Sequence, residues 1–440
     1  MSIFGQPPAL KSPEMNAVAS NPVSSQSPGQ VKTADGESGG TLSETEFFAT
    51  ANFSSQSKTR RFTVDGGTAL ERRLEETCQR VVEGVRALIP VNKLAGVILA
   101  GGYGRGEGGV LREAGDELPY NDMEFYVFTN GSALVDEPKY RDALHHLGHE
   151  LSPKAGLEVE FKVLTSHKLR TATPSMFYYD LVARHRRLLG GEELLAGCQH
   201  HAEARTIPLC EATRLLMNRC TGLLFSSERL QHETFTDEDA DFVGRNFAKA
   251  QLALGDVLLA ARGRYHWSCR ERHHRLLSLP PFGNQSWHEA ICGHHAAGVE
   301  FKLHPFRSHS SRAILREQHA ELKDMCERVW VWLENLRLTT NFTSAQEYAL
   351  SPDDKCPETP AWRNRLVNAR SFGLKAALGR EGCRYPRQRL LHALGLLLWR
   401  AELPLDADGT GEAVRHELRT DARDFAGVVT AYSGLWARFN

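Results

Sequence analysis

The sequence predicts an α+β protein in which a small mixed sheet is followed by an all-helical domain. Short apolar strands alternate with amphipathic helices between about 68 and 164, and beyond about 175 long segments carry apolar residues at helical spacing. The length of 440 residues exceeds one typical domain of about 100 to 200, so several units are expected. They are a disordered tail over 1–45, the sheet-bearing core over 46–172, a helical domain over 173–340 and a C-terminal helical extension over 341–440.

The elements follow in order. Residues 1–45 are rich in Ser, Pro, Gly and Gln, as in Ser24-Ser25-Gln26-Ser27-Pro28-Gly29-Gln30, too polar to offset the entropy of ordering. Leu70, Leu74, Cys78, Val81, Val82, Val85 and Leu88 repeat at three-to-four spacing and predict a helix closed by Pro90. Three strands are expected, over Leu94–Ala100, Glu124–Phe128 and Leu157–Leu164, with a helix over Tyr140–Leu151 before the last. Helices are then predicted over Glu211–Phe225, Gly244–Arg262, Ser311–Leu338 and Pro386–Arg400.

Composition bounds the function. With 53 basic and 54 acidic residues, the chain has no global field to draw it to nucleic acid or an anionic membrane, so any anion site must be local. Nine cysteines without a C-x-x-C or a regular framework suit reduced thiols. No uncharged run approaches the ~20 residues that span a bilayer, and a soluble, cytoplasmic protein is expected.

The chemistry concentrates in Ala100-Gly101-Gly102-Tyr103-Gly104-Arg105-Gly106-Glu107 and Asn121-Asp122-Met123-Glu124-Phe125. Gly101 and Gly102 directly after a buried strand let the backbone approach a phosphate chain, and Arg105 can add a charge-assisted contact to it. At i and i+2 of a strand, Asp122 and Glu124 project together while Met123 and Phe125 turn away. Paired carboxylates form a hard oxygen site suited to Mg²⁺ shared with substrate phosphates. In Leu157-Glu158-Val159-Glu160-Phe161-Lys162, alternation puts Glu158, Glu160 and Lys162 on one face, and either Glu can supply a third carboxylate.

These residues resemble the nucleotidyltransferase superfamily that includes DNA polymerase beta. Gly101–Glu107 is similar to the G-G-Y-G-R-G-E string of bacterial protein uridylyltransferases, and Asp122-Met123-Glu124 to the D-I-E pair of kanamycin nucleotidyltransferases. The resemblance covers about 70 residues, with a faint continuation over Ala253–Arg272. It implies transfer of a nucleoside monophosphate from an NTP such as ATP to an acceptor hydroxyl, on a small molecule or a protein, with release of pyrophosphate. Asp122, Glu124 and Glu160 would be catalytic and would bind Mg²⁺, Val159-Glu160-Phe161 being the better match to the third acidic strand; Gly101, Gly102 and Arg105 would bind the nucleotide. Two features depart from the family: an insertion carrying Arg112–Glu117 between Gly102 and Asp122, and the absence of an acid in Arg214–Arg219, where a general base is expected. Glu211 and Glu228 are the candidates left for that role. The alternative, from a different class, is a nucleotide-binding or protein-interaction module that keeps the fold without turnover.

Blander readings account for other features. Eight histidines between His266 and His309 lack metal-ligand spacing, Arg384, Arg387 and Arg389 read as a solvated helix end, and Trp330-Val331-Trp332 reads as core or the seam of a homodimer. Deleting residues 1–45 is expected to leave the melting temperature unchanged in a calorimetric scan, and a truncation that lowers it contradicts the reading of this segment as a tail.

Overall fold

Leu70, Leu74, Cys78, Val81 and Val85 form the buried face of helix α1 (Thr68–Leu88), as their spacing requires. The computed structural model describes residues 61–281, 283–399 and 409–440, so the tail expected over 1–45 lies outside the described residues. After α1 come β1 (Leu94–Leu99), α2 (Gly101–Arg105), β2 (Gly109–Glu113), β3 (Asp116–Tyr120), β4 (Asp122–Thr129), α3 (Ala133–Ala155), β5 (Glu158–Thr165), α4 (Ser166–Thr171), α5 (Met176–Ala183) and β6 (Arg186–Leu189). The sheet runs β5-β4-β1-β6, with β5 parallel to β4 and the other pairs antiparallel, which makes it mixed.

Alternation along the strands gives the sheet two apolar faces. Val97, Leu99, Met123, Phe125 and Val127 pack with α1 and α3, while Ile98, Tyr126 and Phe128 pack with Leu169 of α4 and Leu181 of α5. The core therefore extends past the boundary expected at 172, because β6 supplies the edge beside β1. The charged insertion is a hairpin, β2 with β3, turning through Ala114 (φ 51°) and Gly115 (φ 91°). Two consecutive positive φ values are what a two-residue hairpin turn of matching twist demands. The Tyr103 hydroxyl accepts from the Tyr120 N–H at 2.7 Å and ties the hairpin base to α2.

The helical part comprises α6 (Leu209–Arg229), α7 (Asp237–Ala261), α8 (Cys269–Leu277), α9 (Gln285–Leu303), α10 (Arg312–Leu338), α11 (Ala345–Leu350), α12 (Ala361–Phe372), α13 (Arg387–Trp399), α14 (Thr410–Leu418) and α15 (Phe425–Phe439). Leu216 of α6, Leu254 of α7, Trp330 of α10, Leu394 of α13 and Tyr432 of α15 share one apolar cluster, so the boundary expected at 340 does not separate two cores. Trp330, 1 % exposed, is core. Arg384, Arg387 and Arg389 are not a solvated end: Arg384 donates to the Pro352 carbonyl, Arg387 to that of Phe439, and Arg389 to Glu381 and Glu417. Among the described residues no helix is long and apolar enough to cross a membrane.

Burial lowers the pKa of His201, His266, His273, His294 and His319, that of His266 to about 3, where Arg275 adds repulsion. These imidazoles bind protons less readily when folded than when unfolded, where they titrate at their ordinary value of 6.5. The unfolded chain then binds more protons, so stability rises with pH and is lost as pH falls through that value. The urea midpoint is expected to drop between about pH 7 and about pH 5, less so in His266→Gln; a flat profile in the parent protein contradicts the assignment.

Candidate metal and phosphate site

Asn121, in the left-handed region at φ 79°, turns the chain from the hairpin into β4 and donates to Asp122 Oδ1 at 2.6 Å. Parallel pairing then sets Asp122 opposite Glu158 and Glu124 opposite Glu160. One carboxylate oxygen from each of Asp122, Glu124 and Glu160 lies within 4.8 Å of the others, a group that does not include Glu158. This convergence is the geometry a divalent cation needs from hard oxygen ligands. Among the described residues it is the one such cluster of His, Cys, Asp and Glu, and the histidines of 266–309 form none. His295 instead faces Asp256 and His273, and His288 faces Cys292.

A lysine shares the site. The Lys162 ammonium sits 2.9 Å from Glu124 Oε1 and 3.7 Å from Glu160 Oε2, a stand-in cation among the three acids. Burial pulls its pKa down, but the charges of Glu124, Glu160 and Asp122 outweigh this and raise it. The same field reaches Tyr126 beneath: burial first, then Glu124, Asp122 and Glu160, push its phenol well above the ordinary range. The three oxygen donors could hold a divalent cation such as Mg²⁺, and Lys162 already offsets part of their charge.

The glycine turn is the short helix α2. Gly101 has φ 63°, and a Cβ there would lie 3.3 Å from Glu124 Oε2, so the turn is pressed against the acidic site. Gly102 lines the adjoining cleft. Arg105 does not lie where a phosphate contact requires. Its side chain is 1 % exposed, it pairs with Asp180 of α5 at 3.5 Å, and it is absent from the cleft wall. It fastens the underside of α2. Burial raises the Asp180 pKa, and Arg105, Arg272 and Lys302 oppose that rise.

The cleft lies between the core and the helical part and is open at its mouth. Gly102, Glu107 and Asp122 line the core side, and Arg219, Lys249 and Lys302 the helical side. Of the three clustered acids Asp122 alone reaches the cleft wall, with Glu124 and Glu160 behind it, and the helical side presents the three bases together with Asp256. Ala253, Asp256 and Arg272 also reach the wall, which places part of the Ala253–Arg272 segment at the cleft. No family model, curated protein or solved structure matches the chain.

The two general-base candidates stand elsewhere. Glu211 accepts from the Met176 N–H at 3.1 Å and pairs with Arg214, holding the start of α5, and Glu228 pairs with His232. Neither lines the cleft. Sequence reasoning missed Arg219, Lys249 and Lys302 as cleft residues, since they come from α6, α7 and α9 and no local pattern links them.

Removing one partner of the buried Arg105–Asp180 pair leaves a charge with less compensation. Arg105→Met is therefore expected to lower unfolding stability by about 3 kcal/mol, read by urea titration. An unchanged midpoint with weakened nucleotide binding would instead restore the phosphate role.

Proposed function

We propose that this chain is a Mg²⁺-dependent nucleotidyltransferase that moves a nucleoside monophosphate from an NTP to a hydroxyl of a small molecule or protein. The observation that carries the reading is the cluster of Asp122, Glu124 and Glu160 beside a cleft whose opposite wall is basic. The resemblance of the glycine turn and the acidic strand to nucleotidyltransferases supports it.

Asp122, Glu124 and Glu160 would hold Mg²⁺, which when bound supplies Lewis-acid activation of the acceptor oxygen and neutralises charge on the departing pyrophosphate. Arg219, Lys249 and Lys302 would clamp the triphosphate and orient its α-phosphorus toward the acids. The acceptor oxygen forms the new bond to that phosphorus, the α–β bridging bond breaks, pyrophosphate carries off the electron pair, and the acceptor hydroxyl gives its proton to solvent water at the open mouth of the cleft.

One observation favours the second reading, a nucleotide-binding module without turnover: Lys162 already neutralises part of the acidic site. Metal-dependent release of pyrophosphate separates the two. Incubation with each labelled NTP, Mg²⁺ and cell extract is expected to label a small molecule or a protein, and Asp122→Asn and Glu124→Gln are expected to cut that labelling more than roughly 100-fold, the cost of disturbing even an outer partner of a metal. Glu160→Gln is expected to lower single-turnover rate with NTP affinity largely kept, while Glu158→Gln is mild. Full activity in the Asp122 or Glu124 variant, or the reverse pattern for Glu160 and Glu158, overturns the site.

A further inference from the structure

Two of the three prospective metal ligands already share a cation. The Lys162 ammonium is 2.9 Å from Glu124 and 3.7 Å from Glu160, so its charge offsets the repulsion of carboxylates held within 4.8 Å of one another. A divalent ion held among carboxylate oxygens that lie within 4.8 Å of one another would stand within a few ångströms of that ammonium, where like charges repel strongly. The two cations compete for one carboxylate. Lys162 can yield: its side chain is 39 % exposed and its flexible stem lets the head move without unpacking the strand.

We propose that Lys162 is a built-in counter-cation of the acidic site, displaced from Glu124 by the divalent metal and re-paired with the phosphate anion that arrives with it. Metal and nucleoside triphosphate then bind cooperatively. The inference rests on the reading of this cluster as a nucleotide-linked metal site. A metal alone must break the Lys162–Glu124 pair and leave the ammonium facing a second cation. A metal accompanied by a triphosphate returns an anion to that ammonium. By linkage the coupling is reciprocal, and nucleotide affinity rises with metal to the same extent. Lys162 is thus a positioning residue that sets metal affinity.

The test uses the full chain with Mn²⁺ as a spectroscopic substitute for Mg²⁺, titrated with and without a non-hydrolysable α,β-methylene nucleoside triphosphate. Free and bound Mn²⁺ are read by electron paramagnetic resonance. Lys162→Met keeps the stem and removes the charge. It is expected to bind Mn²⁺ alone about tenfold more tightly than the parent, the scale of one partly exposed charge, and to lose a similar factor of coupling to nucleotide. Lys162→Arg is expected to behave as the parent, Lys162→Gln as Lys162→Met, and thermal melts report that each is folded. Glu124→Gln should abolish binding in both the parent and the Met background. Equal Mn²⁺ affinity in the parent and Lys162→Met, with binding still lost in Glu124→Gln, overturns the role of Lys162 and leaves the metal site standing. Absence of Mn²⁺ binding even in Lys162→Met overturns both.

Discussion

The parallel register of β5 on β4 is the constraint on which the site depends. Pairing runs without a slip from Asp122 opposite Glu158 to Thr129 opposite Thr165, so Glu160 stands level with Glu124. Side chains alternate with a period of two, and a one-residue shift would turn Glu158, Glu160 and Lys162 away from the Asp122 face. Helix α3 pins the register from outside the sheet. Ser152 Oγ accepts from the Val159 N–H at 3.0 Å and donates to the Gly148 carbonyl at 2.7 Å, so the helix holds β5 near its first residue. Gly148 permits that approach, since a Cβ there would collide with the Val159 carbonyl.

The opposite wall depends on a second set of fixed charges. The Cys269 N–H donates to Glu107 Oε2 at 3.0 Å, which binds the start of α8 to the loop after α2. Arg272, from the same helix, pairs with Asp256 of α7, whose other oxygen faces His295 of α9 at 3.1 Å. Buried charges this tightly partnered add little net stability, yet breaking any one leaves its partner stranded. They therefore act less as glue than as a gauge that sets α7, α8 and α9 against the core. Lys249 and Lys302, on two of these helices, inherit their positions from it.

How much was legible follows from which signals are local. Strand alternation placed Asp122 and Glu124 together, and helical spacing found α1, α6, α10 and α13 to within about a turn, because each needs only near neighbours in sequence, whereas α7 begins at Asp237, well before the expected Gly244. Choosing Glu160 over Glu158 needed the partner strand, and the resemblance supplied what periodicity could not. The hairpin hid behind charge: Arg112, Asp116 and Glu117 look like a solvated insertion, although Arg112 pairs with Glu117 across the turn and with Asp65 near α1. Strand β6 hid because Arg186-Arg187-Leu188-Leu189 is short and half basic. Arg105 misled for a related reason. An arginine after a glycine turn reads as a phosphate ligand until Asp180, from 75 residues later in the chain, is seen to hold it.

The strand Glu158–Lys162 shows why a bland and a specific reading can rest on the same residues. Alternating acids and a lysine on one strand face describe an ordinary solvated surface laced by ion pairs, and the contacts of Lys162 with Glu124 and Glu160 fit that description. What a solvated surface does not explain is burial. Glu124 is 6 % exposed, beside Gly101 and above a fully buried Tyr126, and a carboxylate is costly there unless a cation keeps it company. One lysine offsets one charge. Asp122 and Glu160 converge on the same point as Glu124, and Lys162 pairs there with both glutamates. The strand register is what keeps these three carboxylates in one place.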